Sequence, residues 1–225
     1  MDKMKITASE MAKYIDHTLL KPEATVSSFD SLCREAIQYG FKAVCVNSAW
    51  VTYVADSVHG KGIAVCSVVG FPLGAMHSAA KACEAERAIK DGATELDMVL
   101  NVGALKSGDI KSVEADIRAV RQVAAKPIVL KVIIETCLLS EAEKKQACEI
   151  VQSAGADFVK TSTGFAGGGA TVEDVKLMRG VVGNEMGVKA SGGIKDRSSA
   201  IAMIKAGANR LGTSSGVAIV EKASG

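Results

Sequence analysis

The sequence predicts an α/β barrel, and three observations predict it. Apolar β-rich segments alternate with helical ones along the 225 residues, and eight such pairs can be traced. The strand segments are continuous aliphatic runs, as expected of parallel strands covered by helices. Glycines 40, 62, 92, 155 and 207 stand just ahead of the second, third, fourth, sixth and eighth strands, where helix C-caps belong. Eight units in this length favour closure over an open sheet.

Ile15–Leu19 is a short first strand, and Ser27–Tyr39 a helix with serines at its capping end. Lys42–Val46 and Ala49–Gly60 form the second pair, and Ile63–Gly70 with His77–Lys90 the third. Glu95–Leu100 precedes a helix over Ile110–Ala124. Pro127–Ile134 is the longest aliphatic run, and its helix opens at Ser140-Glu141-Ala142-Glu143. That is a capping box, in which serine and glutamate each take an orphan backbone N–H. Asp157–Lys160 with Thr171–Val182, Val188–Ala190 with Asp196–Ala206, and Arg210–Gly212 with Ser214–Glu221 complete the set. The expectation is a (β/α)8 TIM barrel, a single domain over residues 1–225, with one short N-terminal helix at Ala8–Lys13.

A chain of this length can bury roughly 70% of its unfolded surface, so its core needs no staples. The six cysteines show no Cys-x-x-Cys spacing. They read as small core residues in a reducing cytosol. The 27 basic and 25 acidic residues are interspersed, without the basic run that marks nucleic-acid binding. No apolar run approaches a membrane span, and Met1–Glu10 lacks a signal-peptide core. A soluble cytoplasmic protein is expected, with no nucleic acid and no membrane among its partners. Histidines 17, 59 and 77 show no ligand pairing, so no metal is expected.

The chemistry lies in charges placed on apolar strands. Side chains two apart share a face of a strand. Leu96 and Met98 face the helices, which turns Asp97 into the barrel. Ile128, Leu130 and Val132 likewise leave Lys131 inward, and the same rule turns Asp16, Lys160 and Lys189 inward. The interior is thus expected to hold two carboxylates and three amines. Lysine is almost never fully buried unless it is paired or has a task. For Asp16 and Lys131 a purely structural ion pair is an equal alternative. Lys160 and Lys189 stand near the ends of consecutive strands, each followed by a Gly-containing loop. A lysine crowded by a second cation loses its proton more readily and can attack a carbonyl. Asp97 could then move protons. Cys45 on the second strand could line the same pocket, with no catalytic role assigned.

Gly192-Gly193 and Gly212-Thr213-Ser214-Ser215 follow the seventh and eighth strands, the usual phosphate site of such barrels. Backbone N–H groups there can approach an anion, and helix N-termini add attraction. Gly164 and Gly167-Gly168-Gly169 suggest a flexible loop after Lys160, either a lid or simple slack.

Lys160-Thr161-Ser162-Thr163-Gly164, with Lys189 before Gly192-Gly193 and Asp97 in Glu95-Leu96-Asp97-Met98-Val99, resembles the deoxyribose-phosphate aldolases. The likeness runs from Tyr14-Ile15-Asp16-His17-Thr18-Leu19-Leu20 to Gly212-Thr213-Ser214-Ser215, nearly the whole chain. It implies a class I aldolase without a cofactor, with Lys160 as the Schiff-base lysine and Asp97 and Lys189 as the proton relay. Asp16, Lys131, Thr163, Gly164, Gly192, Gly193, Gly212, Ser214 and Ser215 would contact the substrate. The implied small-molecule partners are acetaldehyde and a phosphorylated aldehyde or sugar, and a homodimer or homotetramer is compatible with the apolar helix faces. Some relatives carry a lysine where Phe165 stands here, so that phosphate contact does not carry over. Nor does the tyrosine-bearing C-terminal tail of some relatives, since Glu221–Gly225 contains no tyrosine. A phosphate-binding isomerase, an epimerase or another imine-forming lyase is the rival within enzymes. A silent barrel acting as a regulatory subunit is the rival outside them, disfavoured because buried charges cost stability.

Overall fold

The computed structural model describes residues 6–221. The expectations placed on Met1–Lys5 and on the tail after Glu221 lie outside those residues. Helix α1 (Ala8–Ala12) opens on a capping box between Thr7 and Glu10, then leads into β1 (Ile15–Leu19). There follow α2 (Val26–Tyr39), β2 (Ala43–Val46), α3 (Val51–Ser57), β3 (Ala64–Val69), α4 (Ser78–Lys90) and β4 (Glu95–Val99). The chain continues through α5 (Val102–Lys106), α6 (Ile110–Val123), β5 (Val129–Ile133), α7 (Glu141–Ser153) and β6 (Phe158–Lys160). It ends with α8 (Val172–Val182), β7 (Gly187–Ser191), α9 (Arg197–Lys205), β8 (Arg210–Thr213) and α10 (Gly216–Glu221).

All eight strands pair in parallel with their sequence neighbours, and β8 closes on β1 with Asp16 opposite Gly212. The register places Asp97 opposite Lys131, Lys160 opposite Lys189, and Lys189 opposite Arg210. Strands with these apolar outer faces close under a layer of helices packed against them. Val44, Leu96, Met98, Leu130, Val132 and Val188 pack outward against Phe29, Ala85, Ile117, Val151 and Met178, all fully buried. His17 also faces outward, its ring 5.0 Å from Phe41 and its Nε2 2.6 Å from Glu35 of α2. The capping box at Ser140 forms: Glu143 N–H donates to Ser140 Oγ at 3.3 Å, and Ser140 N–H to Glu143 Oε2 at 2.7 Å.

Some details differ from the sequence reading. Helix α2 begins one residue earlier, at Val26, because Thr25 takes the N-cap position, its N–H donating to Ser28 Oγ at 3.4 Å. Ser48–Trp50 is a 3-10 turn that shortens α3. Helix α5 is additional, and the Asn101 side chain caps it by accepting Ala104 N–H. The interior also holds more charge than expected. Glu95 and Arg210 point inward beside Asp16, Asp97, Lys131, Lys160 and Lys189, making three carboxylates, three amines and a guanidinium.

Candidate active site

Asp97 is the hub of the interior. Its Oδ2 accepts from Lys160 Nζ at 2.6 Å and from Lys189 Nζ at 2.7 Å. Its Oδ1 accepts from Lys131 Nζ at 2.9 Å and from the Cys66 thiol at 3.1 Å. Asp97, Lys131 and Lys189 are fully buried, and Lys160 is 3% exposed.

A second tier fixes the first. Lys189 also donates to Asp16 Oδ2, and Arg210 Nε donates to Asp16 Oδ1 at 2.8 Å. Arg210 bridges to Glu95 at 2.8 Å, and Lys131 meets the same Glu95 carboxylate at 2.6 Å. Burial pushes the carboxyls of Asp16 and Asp97 up, but the surrounding cations reverse it. Asp16, held by Lys189 and Arg210, falls to about 2, and Asp97, held by Lys131, Lys160 and Lys189, falls well below the usual range. Burial likewise opposes the charge on Lys131 and Lys189, yet Asp97 keeps Lys131, and Asp16 with Asp97 keep Lys189, more basic than usual. Lys189 is therefore held protonated beside Lys160.

Of the interior amines, only Lys160 also lines a cavity, about 320 Å3 at the C-terminal ends of the strands. The walls include Thr18, Leu20, Thr163, Gly164, Phe165, Ser191, Gly192, Gly193, Gly212, Ser214 and Ser215. Thus the expected contacts Thr163, Gly164, Gly192, Gly193, Gly212, Ser214 and Ser215 gather around Lys160. Asp16 and Lys131 do not reach the wall; both are committed to ion pairs beneath it. Cys45 points into the barrel but stays buried below the cavity, its Sγ within 4.8 Å of Cys66 Sγ and an Asp97 oxygen. Those three could offer ligands to a soft metal, but the lysines already hold both Asp97 oxygens. A larger surface groove between α7 and α8 contains none of these groups and carries its own Lys144–Asp174 pair.

The structure refines the phosphate end. Ser215 N–H already donates to Thr213 Oγ at 2.9 Å, so it is not a free donor. Among the described residues, the N–H groups of Gly164, Gly192, Gly193 and Ser214 have no hydrogen-bond acceptor. The first turn of α9 is capped by its own Asp196, which accepts Ser199 N–H at 2.8 Å and so competes for the dipole. Lys21 and Lys195, which the sequence reading missed, line the cavity and supply cations where Phe165 does not. Gly212 is needed for room: a Cβ there would sit 3.2 Å from Lys189 Cε and 2.9 Å from Ser191 Cβ.

The loop after Lys160 is docked rather than slack. A Cβ on Gly168 would meet Cys137 Cβ at 2.4 Å, and one on Gly169 would meet Gly192 O at 2.4 Å. Ala170 N–H donates to Ser191 O and Gly192 O, both at 3.0 Å. Glu135, also missed, stands two residues after β5 and accepts Thr163 N–H at 3.2 Å.

A closed barrel with a cavity-facing lysine, backed by a carboxylate and a second lysine, defines an enzyme of the Schiff-base aldolase class. Residues 10–222 match the family model described as "DeoC/LacD family aldolase", and the chain belongs to that family. It is 61% identical over 210 residues to the deoxyribose-phosphate aldolase of Brevibacillus brevis, covering 93% of this chain and 95% of that one. It is 59% identical over 212 residues to that of Finegoldia magna, covering 94% and 99%. Among solved structures, the tetrameric deoxyribose phosphate aldolase of Aeropyrum pernix superposes with a TM-score of 0.89 at 34% identity, covering 96% of this chain and 92% of that one. An aldolase named QR15 superposes with a TM-score of 0.90 at 43% identity, covering 95% of each.

Proposed function

We propose that this chain is a class I aldolase that reversibly joins acetaldehyde to D-glyceraldehyde 3-phosphate, giving 2-deoxy-D-ribose 5-phosphate in deoxyribonucleoside breakdown. The observation that carries the reading is Lys160: among the interior amines it alone meets the cavity, and it shares an oxygen with Lys189. The relatives' names agree with that chemistry.

In the synthetic direction the neutral amine of Lys160 attacks acetaldehyde. The oxygen of the resulting carbinolamine takes a proton and leaves as water, forming the imine. Loss of a proton from the methyl carbon gives the enamine, whose terminal carbon attacks the phosphorylated aldehyde. Water then hydrolyses the product imine and frees Lys160. Asp97, one hydrogen bond from Lys160, is placed to take and return these protons, and Lys189 to supply them. The phosphate would sit against the open N–H groups of Gly164, Gly192, Gly193 and Ser214, with Ser215 at the wall. Asp16 and Lys131 contribute by fixing Lys189 and Asp97. The reading includes a cytoplasmic protein built as one barrel unit over residues 1–225, assembling as a homodimer or homotetramer. None of the described helices is long and apolar enough to cross a membrane.

Borohydride reduction in the presence of acetaldehyde, followed by peptide mapping, tests the assignment. A two-carbon adduct on the Lys160 peptide supports it. An adduct mapping mainly to Lys131 or Lys189, or an active preparation that yields none, sinks it.

A further inference from the structure

His17 stands on β1 with its back to the cavity, yet its ring bears on a loop that forms the cavity wall. The residue is 4% exposed, and its Nε2 lies 2.6 Å from Glu35 Oε2 of α2. A carboxylate can only accept, so Nε2 carries the proton of that bond. Burial holds the ring below the ordinary histidine pKa, against the pull of Glu35, and so neutral near pH 7. In that state Nδ1 bears a lone pair and no hydrogen. Among the described residues Nδ1 has no hydrogen-bond partner.

What meets that bare edge is Gly216. A Cβ there would stand 2.9 Å from His17 Nδ1 and 3.0 Å from the Phe41 ring, which packs 5.0 Å from the imidazole, centroid to centroid. A ring C–H at the same edge would project a hydrogen into space the Gly216 backbone now takes. Glycine and an unprotonated nitrogen fit together because neither carries the atom that close packing here excludes.

Gly216 opens α10 directly after Ser214 and Ser215. At the start of this loop, Thr213 Oγ accepts Ser215 N–H at 2.9 Å and donates to Ile194 O at 2.7 Å. Ser214, which lines the Lys160 cavity, lies between the two holds, Thr213 on one side and Gly216 on the other.

We infer that His17 is a positioning residue for the phosphate corner: Glu35 fixes its ring, and the ring with Phe41 seats Gly216 and, with it, the backbone of Ser214 on the cavity wall. This rests on the aldol reading above. The tether gives a reason for histidine at this place. Phenylalanine would fill the same volume with a hydrogen at the tight edge and no bond to set its tilt.

Glu35→Leu, at a side chain 38% exposed, cuts the tether without opening the core. For the full chain cleaving 2-deoxyribose 5-phosphate, KM should rise about tenfold, the lower worth of one hydrogen bond to a charged acceptor, with kcat within about twofold. Cleavage of unphosphorylated 2-deoxyribose should be unchanged, while its inhibition by inorganic phosphate should weaken by the same factor as KM. Glu35→Gln still offers an oxygen to Nε2–H and should keep the wild-type KM. Gly216→Ala presses a methyl on the ring from the other side and should raise the same KM. A wild-type KM in Glu35→Leu would overturn the inference. So would an equal loss on both sugars, or a glutamine variant as impaired as the leucine one. A wild-type chain that cleaves neither sugar would instead defeat the aldol reading, and the inference with it.

Discussion

Lys160 and Lys189, on neighbouring strands, donate to the same oxygen of Asp97, at 2.6 and 2.7 Å. The two amines differ in their other partners. Lys189 is held by a second carboxylate, Asp16, whereas Lys160 has Asp97 alone and opens to the cavity. One lysine is thereby fixed as a cation and the other left able to react.

Removing Lys189 should therefore change how activity depends on pH. Attack requires a deprotonated Lys160, so activity rises with pH as that proton leaves. Lys189→Leu deletes a neighbouring positive charge, and the rise should move to higher pH. Because the change also strips a partner from Asp16, it should destabilise the fold by about 3–5 kcal/mol. Asp97→Leu should lower kcat by roughly 10²–10⁴-fold, the usual share of general acid–base catalysis. Near-wild-type turnover with an unchanged pH profile in either variant would mean the relay is misassigned.

Acid stability tests the tier beneath. The Asp16 carboxyl ordinarily titrates at 3.8 and is lowered here to about 2. A lowered folded value contributes stability that is present above the unfolded value and lost as pH falls through the folded one. The contribution of Asp16, about 2 kcal/mol by the size of that shift, should fade between pH 4 and pH 2. Asp97, shifted in the same direction, adds to the slope. In urea titrations at stepped pH, the gap between wild type and Asp16→Asn should be widest near neutrality and narrow below pH 4. A gap independent of pH would argue that Asp16 is not ionised in the native state.

Much of this arrangement was legible because strand alternation needs only a strand and a charge. Leu96 and Met98 sufficed to turn Asp97 inward, and their complete burial among the helices matches. The same rule reaches Glu95 and Arg210, but they start their strands, where one missing neighbour leaves the face ambiguous. Glu135 was not legible, since its left-handed backbone comes from a contact with Thr163, 28 residues away. The glycines at 168 and 169 suggested slack because sequence shows a missing side chain but not what occupies its space. Here Cys137 and the backbone of Gly192 do.

Gly212 offers a steric test of the same centre. Its φ needs no glycine, so Gly212→Ala carries no backbone strain, only a crowded Cβ between Lys189 and Ser191. Overpacking of this kind costs about 1–3 kcal/mol. The tighter contact, with Ser191 Cβ at 2.9 Å, forces β7 and β8 apart there, and the Lys189 stem at 3.2 Å moves with them, drawing its Nζ off Asp97. A fall in kcat of about tenfold, with a modest loss of melting temperature, is expected from that misplacement. Full activity with unchanged stability would show that the interior has slack at this level.

Ser215 probes the phosphate end without touching Lys160. It lies at the cavity wall before the six-residue α10, with its own N–H turned to Thr213 Oγ. Ser215→Asp therefore leaves the open donors of Gly164, Gly192, Gly193 and Ser214 in place and adds a carboxylate facing them. A phosphate dianion must then compete with a fixed negative charge for those donors. Each hydrogen bond to a charged acceptor is worth about 1.5–3 kcal/mol. Losing two would cut the efficiency of 2-deoxyribose 5-phosphate cleavage by about two to four orders of magnitude. Cleavage of unphosphorylated 2-deoxyribose should change little, because its reaction uses Lys160, Asp97 and Lys189 alone. A parallel loss on both sugars would place the damage at the catalytic lysine and remove the phosphate from this corner of the cavity.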